Sequence, residues 1–345
     1  MPESFIIGTR DMHTTTKPQQ MPNKFHNYNT QPPGWVWGEF KNNSRQTLRY
    51  GSLYPEKQAP EAIVILLPGR SEFVEKYFET ARDLARMNFA VWVIDWRGQG
   101  KSERPFRYPH RGNAPDFEEH VDDLNQFIEG YVKKAAFRPS DGKPIPLIML
   151  AQSMGGNIGL RYLSAHPGNF KAAIVCAPML GIKDLKILPL FLSVILVKIL
   201  GSIFGMHSYA FGQKDWAPAE RASTDKFSRD TARNAVHDSW YLADPALQVG
   251  GVTFGWLYHA LKSCLVLSAK KTLAAINIPV LLAVAGREEL VNTAAIRTAA
   301  KIIPSARLIE FPEAGHEILM EKDDIRDKLL TALQLLTQEI LSNKP

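Results

Sequence analysis

Short apolar runs recur along the chain, and segments with apolar residues at helical spacing separate them. Ala62–Leu67, Ala90–Ile94, Ile145–Leu150, Ala172–Cys176 and Val280–Ala285 are such runs, and Arg307–Phe311 closes the series. They have the length of strands, and their lack of polar alternation predicts burial on both faces. Between them, Tyr77–Asn88 carries Phe78, Ala81, Leu84 and Ala85 on one helical face. Phe117–Val132 does the same with Val121, Leu124, Phe127 and Ile128. Further helices are expected over Asn157–Ser164, Thr293–Ile303 and Asp324–Leu341. Trp35–Phe40 and Thr47–Tyr54, separated by the polar turn Lys41–Ser44, predict an opening antiparallel hairpin. Alternating strands and helices of this kind predict an α/β fold: a mostly parallel central sheet with helices on both faces.

The rhythm stops between about Met179 and Ala275. That stretch is read as an inserted helical cap over the ligand-binding edge of the sheet, because ligands in such folds bind outside the carboxyl ends of the strands. The expected organisation is a flexible N-terminal arm over 1–34, a core over 35–178 and 276–345, and a cap over 179–275. Within the cap, Ile187–Gly205 is the most apolar segment. It approaches spanning length, but Pro189 and Lys198 interrupt it. A span there would also separate two parts of one core. It is read as a cap helix over an apolar pocket, with contact to a bilayer surface as the second reading.

Composition narrows the picture. The chain has 345 residues, of which 45% are hydrophobic and 22% charged, as in ordinary globular proteins. Its net charge of +6 is not gathered into blocks. It gives no argument for nucleic acid and is compatible with an anionic membrane surface. The cysteines, Cys176 and Cys264, have no metal-binding or disulfide spacing. The first residues lack a basic segment followed by an apolar one, so no signal peptide is read and a cytoplasmic location is expected.

The strongest chemical signal is Ala151-Gln152-Ser153-Met154-Gly155, set between a strand and a helix. A strand–serine–helix turn this tight needs small residues two before and two after the serine, and Ala151 and Gly155 are small. No other serine in the chain meets this pattern. Ser153 is therefore the candidate nucleophile, although a serine there also serves as a helix N-cap. A hydroxyl needs a base, and the base needs an orienting acid. His316 follows the last strand and is preceded by Gly315, expected to turn the backbone sharply toward the serine. The acid should follow Val280–Ala285, where Glu288 and Glu289 compete; Glu288 is preferred. Asp95 could substitute as the acid but more readily pins the Arg97–Ser102 turn. The oxyanion donors expected are the backbone N–H groups of Met154 and, since Pro68 has none, Arg70.

With these residues the chain resembles the serine α/β-hydrolase superfamily. Within it, the chain is similar to the group of lysophospholipase L2 and monoacylglycerol lipases. The resemblance rests on Leu67–Glu72 with Tyr77, Asp95–Ser102, Gln152–Gly156, Gly286–Val291, Ala314–His316 and, in the cap, Gly250–Trp256. It covers about residues 35 to 340. The chain departs from the group at Pro68, where His is common, at Ala151-Gln152, where Gly-His is common, and in offering Glu rather than Asp as the acid.

The resemblance implies hydrolysis of a lipid ester through an acyl-enzyme, with no cofactor and no metal. It implies a small-molecule substrate such as a lysophospholipid or monoacylglycerol. The Arg70 guanidinium would favour a phosphate head group. The cap aromatics Phe211, Trp216, Phe227, Trp240, Phe254 and Trp256 suit either an apolar tunnel or the core of the cap. The competing readings are another ester, a thioester or an acyl transfer, and a catalytically silent hydrolase fold used for binding. Oligomeric state has no signal in the sequence.

Overall fold

The computed structural model describes residues 28–342 except 57, 105, 107, 139–140, 186–187 and 219–223. Residues 1–27 of the expected flexible arm lie outside the described residues, as does Ile187. Tyr28 to Thr30, also assigned to that arm, are pinned. The Tyr28 ring lies beneath the Arg233 guanidinium at 5.1 Å. Asn29 donates to Ser239 Oγ at 2.9 Å, and Arg82 donates to the Thr30 carbonyl at 2.7 Å.

Eight strands form one sheet: β1 (Val36–Lys41), β2 (Thr47–Leu53), β3 (Ala62–Leu67), β4 (Phe89–Ile94), β5 (Leu147–Gln152), β6 (Ala172–Cys176), β7 (Val280–Ala285) and β8 (Ala306–Phe311). Their spatial order is β1-β2-β4-β3-β5-β6-β7-β8. The opening hairpin is antiparallel, β2 runs antiparallel to β4, and every pairing from β4 through β8 is parallel. The loops after β3 to β8 therefore all leave from one edge. β3 to β7 are fully buried, which explains their unbroken apolar character.

Alternate residues of β3 serve opposite faces. Ile63, Ile65 and Leu67 join the core under α2 (Phe117–Phe127) and α3 (Ser153–Ala165). Ala62, Val64 and Leu66 join the core under α1 (Phe78–Arg86) and α8 (Asp323–Ser342). The predicted Phe117–Val132 helix is not one α-helix: after Phe127 it widens into a π-helical segment over Ile128–Val132. The elbow helix starts earlier than its apolar periodicity suggests, at Ser153 itself.

Between β6 and β7 the described residues form no strand. They include three long helices: α4 (Leu190–Phe204), α5 (Thr231–Ala243) and α6 (Phe254–Ser268). A further helix of the core, α7 (Thr293–Ile302), follows β7. α6 is more than a cover, because Trp256, Ala260, Cys264 and Leu267 pack into the same core as α2 and α3. α4 packs on α6 through Ser193, Val197 and Gly201 and turns Phe191, Ile195, Ile199 and Ile203 to solvent. No helix among the described residues is long and apolar enough to cross a membrane.

Arg49 of β2 is buried between Glu75 and Asp95. It donates to both oxygens of Glu75, at 2.6 and 2.7 Å, and to Asp95 Oδ2. Asp95 also accepts from the backbone N–H of Val74 and Lys101, so it fastens the turn after β4. Burial would discharge the guanidinium, but the two carboxylates outweigh that and hold it charged. An Arg49→Leu substitution would leave two buried carboxylates without their cation. It is expected to cost about 3–5 kcal/mol, seen as a lower urea midpoint.

Candidate active site

Every sequence-derived site residue sits on the edge where the parallel strands end. β5 hands over to α3 at Ser153, whose φ of +51° lies in the left-handed region that non-glycine residues avoid. The backbone is held there by its surroundings. The Ser153 carbonyl accepts from Met179 N at 3.0 Å. A Cβ on Gly155 would overlap the carbonyl oxygens of Leu67 and Pro68, so the first turn of α3 rests directly on the end of β3. That contact is the reason for the small residue two after the serine.

The other two members of the expected triad are joined. His316 Nδ1 and Glu288 Oε2 are 2.7 Å apart, and both side chains are buried. Glu288 Oε1 accepts from the backbone N–H of Leu290 at 2.7 Å and of Val291 at 3.1 Å. Its position three before Val291 thus gives it a local cradle. Burial pushes the Glu288 carboxyl up, but the imidazole and these N–H groups outweigh it and hold the pKa below the usual value. For His316, burial favours the neutral ring, yet the Glu288 charge and hydrogen bond outweigh it and raise the pKa above the ordinary imidazole value. Glu317 and Glu72 push the same way. Glu289 is exposed and its carboxylate lies 3.8 Å from Lys226 Nζ, whereas the carboxylate bonded to the imidazole is that of Glu288.

The histidine loop is tied to the elbow. The side-chain amide of Gln152 donates to the His316 carbonyl at 2.9 Å. It is also braced by the cap, since His316 N donates to Lys226 O at 3.0 Å and Glu317 N to Phe227 O at 2.7 Å. Gly315 does not adopt a positive φ, so the expected sharp turn is not why glycine is there. The reason is proximity. A Cβ would lie 2.9–3.0 Å from the carbonyl oxygens of Asp225, Lys226 and Phe227.

The loop carrying Arg70 is fixed by side chains to which sequence reasoning gave no role. Glu72 accepts from Gly69 N. The Gln99 amide donates to Gly69 O at 2.8 Å and accepts from Ser71 N at 3.2 Å. Tyr241 OH donates to Ser71 O at 2.9 Å, and His237 Nε2 lies 3.0 Å from the same oxygen, both from α5 of the cap. Ser71 itself has φ +61°. Met154 stands in the first turn of α3, where helix N–H groups are open to an acceptor. Glu72 and Gln99 lay inside the motifs that carried the resemblance, which was the available signal. His237 and Tyr241 lay in a region with no motif around them.

One expectation about side chains changes, and one that was left open is narrowed. The Arg70 guanidinium donates to the Gly250 carbonyl and lies over the Trp256 ring at 5.2 Å. It ties the loop to the cap, and that engagement removes the simple argument for a phosphate head group. Most cap aromatics pack into cores. Trp256 meets Phe117, Trp240 meets Phe78, and Trp216 meets Tyr241. Phe254 is buried under Phe204 and Phe211, while Phe211 is 67% exposed.

An eight-stranded sheet with its chemistry gathered at the strand ends defines the class: the protein is an α/β-hydrolase. Residues 58–323 match the family described as serine aminopeptidase, S33, and the chain belongs to that family. It is 33% identical over 288 residues to lysophospholipase L2 of Escherichia coli strain K12, covering 80% of each chain. It is 26% identical over 266 residues to monoacylglycerol lipase of Mycolicibacterium smegmatis, covering 76% of this chain and 84% of the relative. A soluble variant of monoglyceride lipase from Saccharomyces cerevisiae, solved with a substrate analogue, shares the fold. Its TM-score is 0.71 at 17% identity, covering 93% of this chain and 99% of that one.

The pair predicts a clean mutational contrast. Glu288→Gln should lower kcat on a soluble ester by roughly 10²–10⁴-fold. Glu289→Gln should stay within a factor of about two, as surface changes do. The raised pKa of His316 puts the loss of kcat/KM on the acid side, as pH falls through that value and the base is protonated. Without the Glu288 charge, burial dominates and the acid limb should move to lower pH. A pH–rate profile of both variants reads these outcomes.

Proposed function

We infer that this chain is a carboxylic ester hydrolase acting on a lipid ester, either a lysophospholipid or a monoacylglycerol. The observation that carries this reading is the buried Glu288–His316 pair bound through Gln152 to the strained Ser153 turn. The relatives named lysophospholipase L2 and monoacylglycerol lipase support the lipid substrate. In this reading Ser153 Oγ attacks the ester carbonyl and His316 Nε2 takes its proton. Glu288 holds the Nδ1–H and stabilises the imidazolium that forms. The N–H groups of Arg70 and Met154 receive the oxyanion. Collapse of the tetrahedral intermediate breaks the bond to the alcohol, which leaves with the proton from His316. Water, deprotonated by the same imidazole, then releases the fatty acid from Ser153.

Binding at a membrane surface belongs to the same reading. α4 presents Phe191, Leu192, Ile195, Leu196, Ile199 and Ile203 outward, and Ile203 is 68% exposed. An apolar helix face of this extent on a single chain marks a contact surface. Substrates of this class reside in bilayers, so a cap helix lying on the lipid shortens the route from membrane to serine.

Two measurements test the reading. A fluorophosphonate probe should label the wild type and fail to label Ser153→Ala. A substrate panel should show lysophospholipid or monoacylglycerol turned over faster than acyl thioesters and aminoacyl arylamides. No labelling of the wild type, or arylamide as the best substrate, would replace the ester reading. For the membrane surface, Ile199→Asp/Ile203→Asp should reduce co-sedimentation with phosphatidylglycerol–phosphatidylethanolamine vesicles by about tenfold, leaving short-chain ester turnover intact. Unchanged sedimentation would remove α4 from the membrane contact.

A further inference from the structure

Beneath the site lies a buried group of four ionisable side chains that the reaction described above does not use. Glu72 accepts from Gly69 N, from Lys76 Nζ at 2.6 Å and from Tyr77 OH at 2.5 Å. Lys76 Nζ also meets Glu317 Oε2 at 2.6 Å. Glu72, Lys76, Tyr77 and Glu317 are all at most 4% exposed. One ammonium therefore serves two carboxylates away from water. Apolar packing of the same volume would serve stability as well, because desolvating several charges costs about what their attraction returns. The position of the group is informative. One end grips the backbone of the loop that presents Arg70 N–H. The other end is the residue next to His316.

We propose that Glu72 and Glu317, bridged by Lys76, act as one positioning unit that sets the oxyanion loop and the histidine loop at a fixed separation. The unit also keeps the Glu317 and Glu72 carboxyls close enough to the imidazole to favour the imidazolium formed during acyl transfer. Tyr77 holds Glu72 in the orientation that reaches Gly69. The charged groups around His316 are Glu288 from the loop after β7, Glu317 on its own loop with Glu321, which accepts from Gly315 N at 2.7 Å, Glu72 with Lys76 from the segment after β3, and Asp225 and Lys226 from the cap segment packed on the histidine loop. Glu288 remains the larger influence, and Glu72 and Glu317 add to it in the same direction.

The inference rests on the ester-hydrolase reading, and its test is arranged so that the two fail separately. Fluorophosphonate labelling of the wild type checks the serine chemistry first. Glu72→Gln, Glu317→Gln, the double variant and Tyr77→Phe are then compared on a soluble short-chain ester, with kcat, KM, pH profile and melting temperature recorded. Each Glu→Gln change should lower kcat about tenfold or more with KM little altered, and should move the acid limb of kcat/KM to lower pH. The double variant should be no worse than the poorer single one, because the parts act as a unit. Tyr77→Phe, the mildest change, should show the same kcat-only loss at about threefold. It decides the matter if the glutamine variants do not fold. Labelled wild type together with unchanged kcat, multiplicative losses, or an acid limb that stays in place would overturn the unit while leaving the triad reading standing.

Discussion

The backbone contact between the first turn of α3 and the end of β3 is the constraint on which the site depends. Gly155 lies against the carbonyl oxygens of Leu67 and Pro68, so the serine turn and the loop bearing Arg70 cannot shift independently. Backbone packed on backbone has none of the slack of long side chains, and interiors at this density transmit displacement rather than absorb it. The left-handed conformation of Ser153 is stored in this arrangement. The strain is tolerable because the parallel strands on either side of β5 over-determine where its last residue goes.

A second layer of fixation comes from polar side chains rather than sheet geometry. Gln99 spans Gly69 and Ser71, Glu72 returns to Gly69 N, and the cap reaches across with His237 and Tyr241. The turn after β4 that carries Gln99 is itself fastened by Asp95 and, through it, by the buried Arg49. A chain of partners therefore runs from the second strand of the sheet to the loop bearing Arg70. Geometry held by preorganised dipoles need not be rebuilt during reaction, which is where most electrostatic stabilisation of an oxyanion arises.

Much of this was legible in the sequence, for identifiable reasons. Ala62–Leu67, Ala172–Cys176 and Val280–Ala285 were readable to the residue, whereas the equally buried β5, read as Ile145–Leu150, runs Leu147–Gln152, since Pro146 brings no N–H to the ladder and Gln152 is buried although polar. Ser153, His316 and Glu288 were readable as candidates because each follows a strand, and chain order says which strand to look behind. The cap was legible only as a break in rhythm. α4 carries apolar residues on nearly every side, and α5 buries polar ones, so periodicity says little about which face is covered. The reason for Gly315 was hidden for another cause. What the residue avoids is the backbone of Asp225–Phe227, some ninety positions away, and local pattern has no access to such a neighbour. The roles of His237 and Tyr241 were hidden in the same way, since their target, the Ser71 carbonyl, belongs to a distant loop.

The brace between Lys226–Phe227 and the histidine loop has a bearing on how the cap can move. Two backbone hydrogen bonds fasten that segment to His316 and Glu317. Displacing it would drag the imidazole off the Glu288 carboxylate and dismantle the site it was meant to open. α4, by contrast, is held to α6 by small and apolar side chains without a polar bond across the joint. Any rearrangement that leaves the Glu288–His316 pair intact is thereby confined to the α4 side, while the opposite flank stays still as a doorpost.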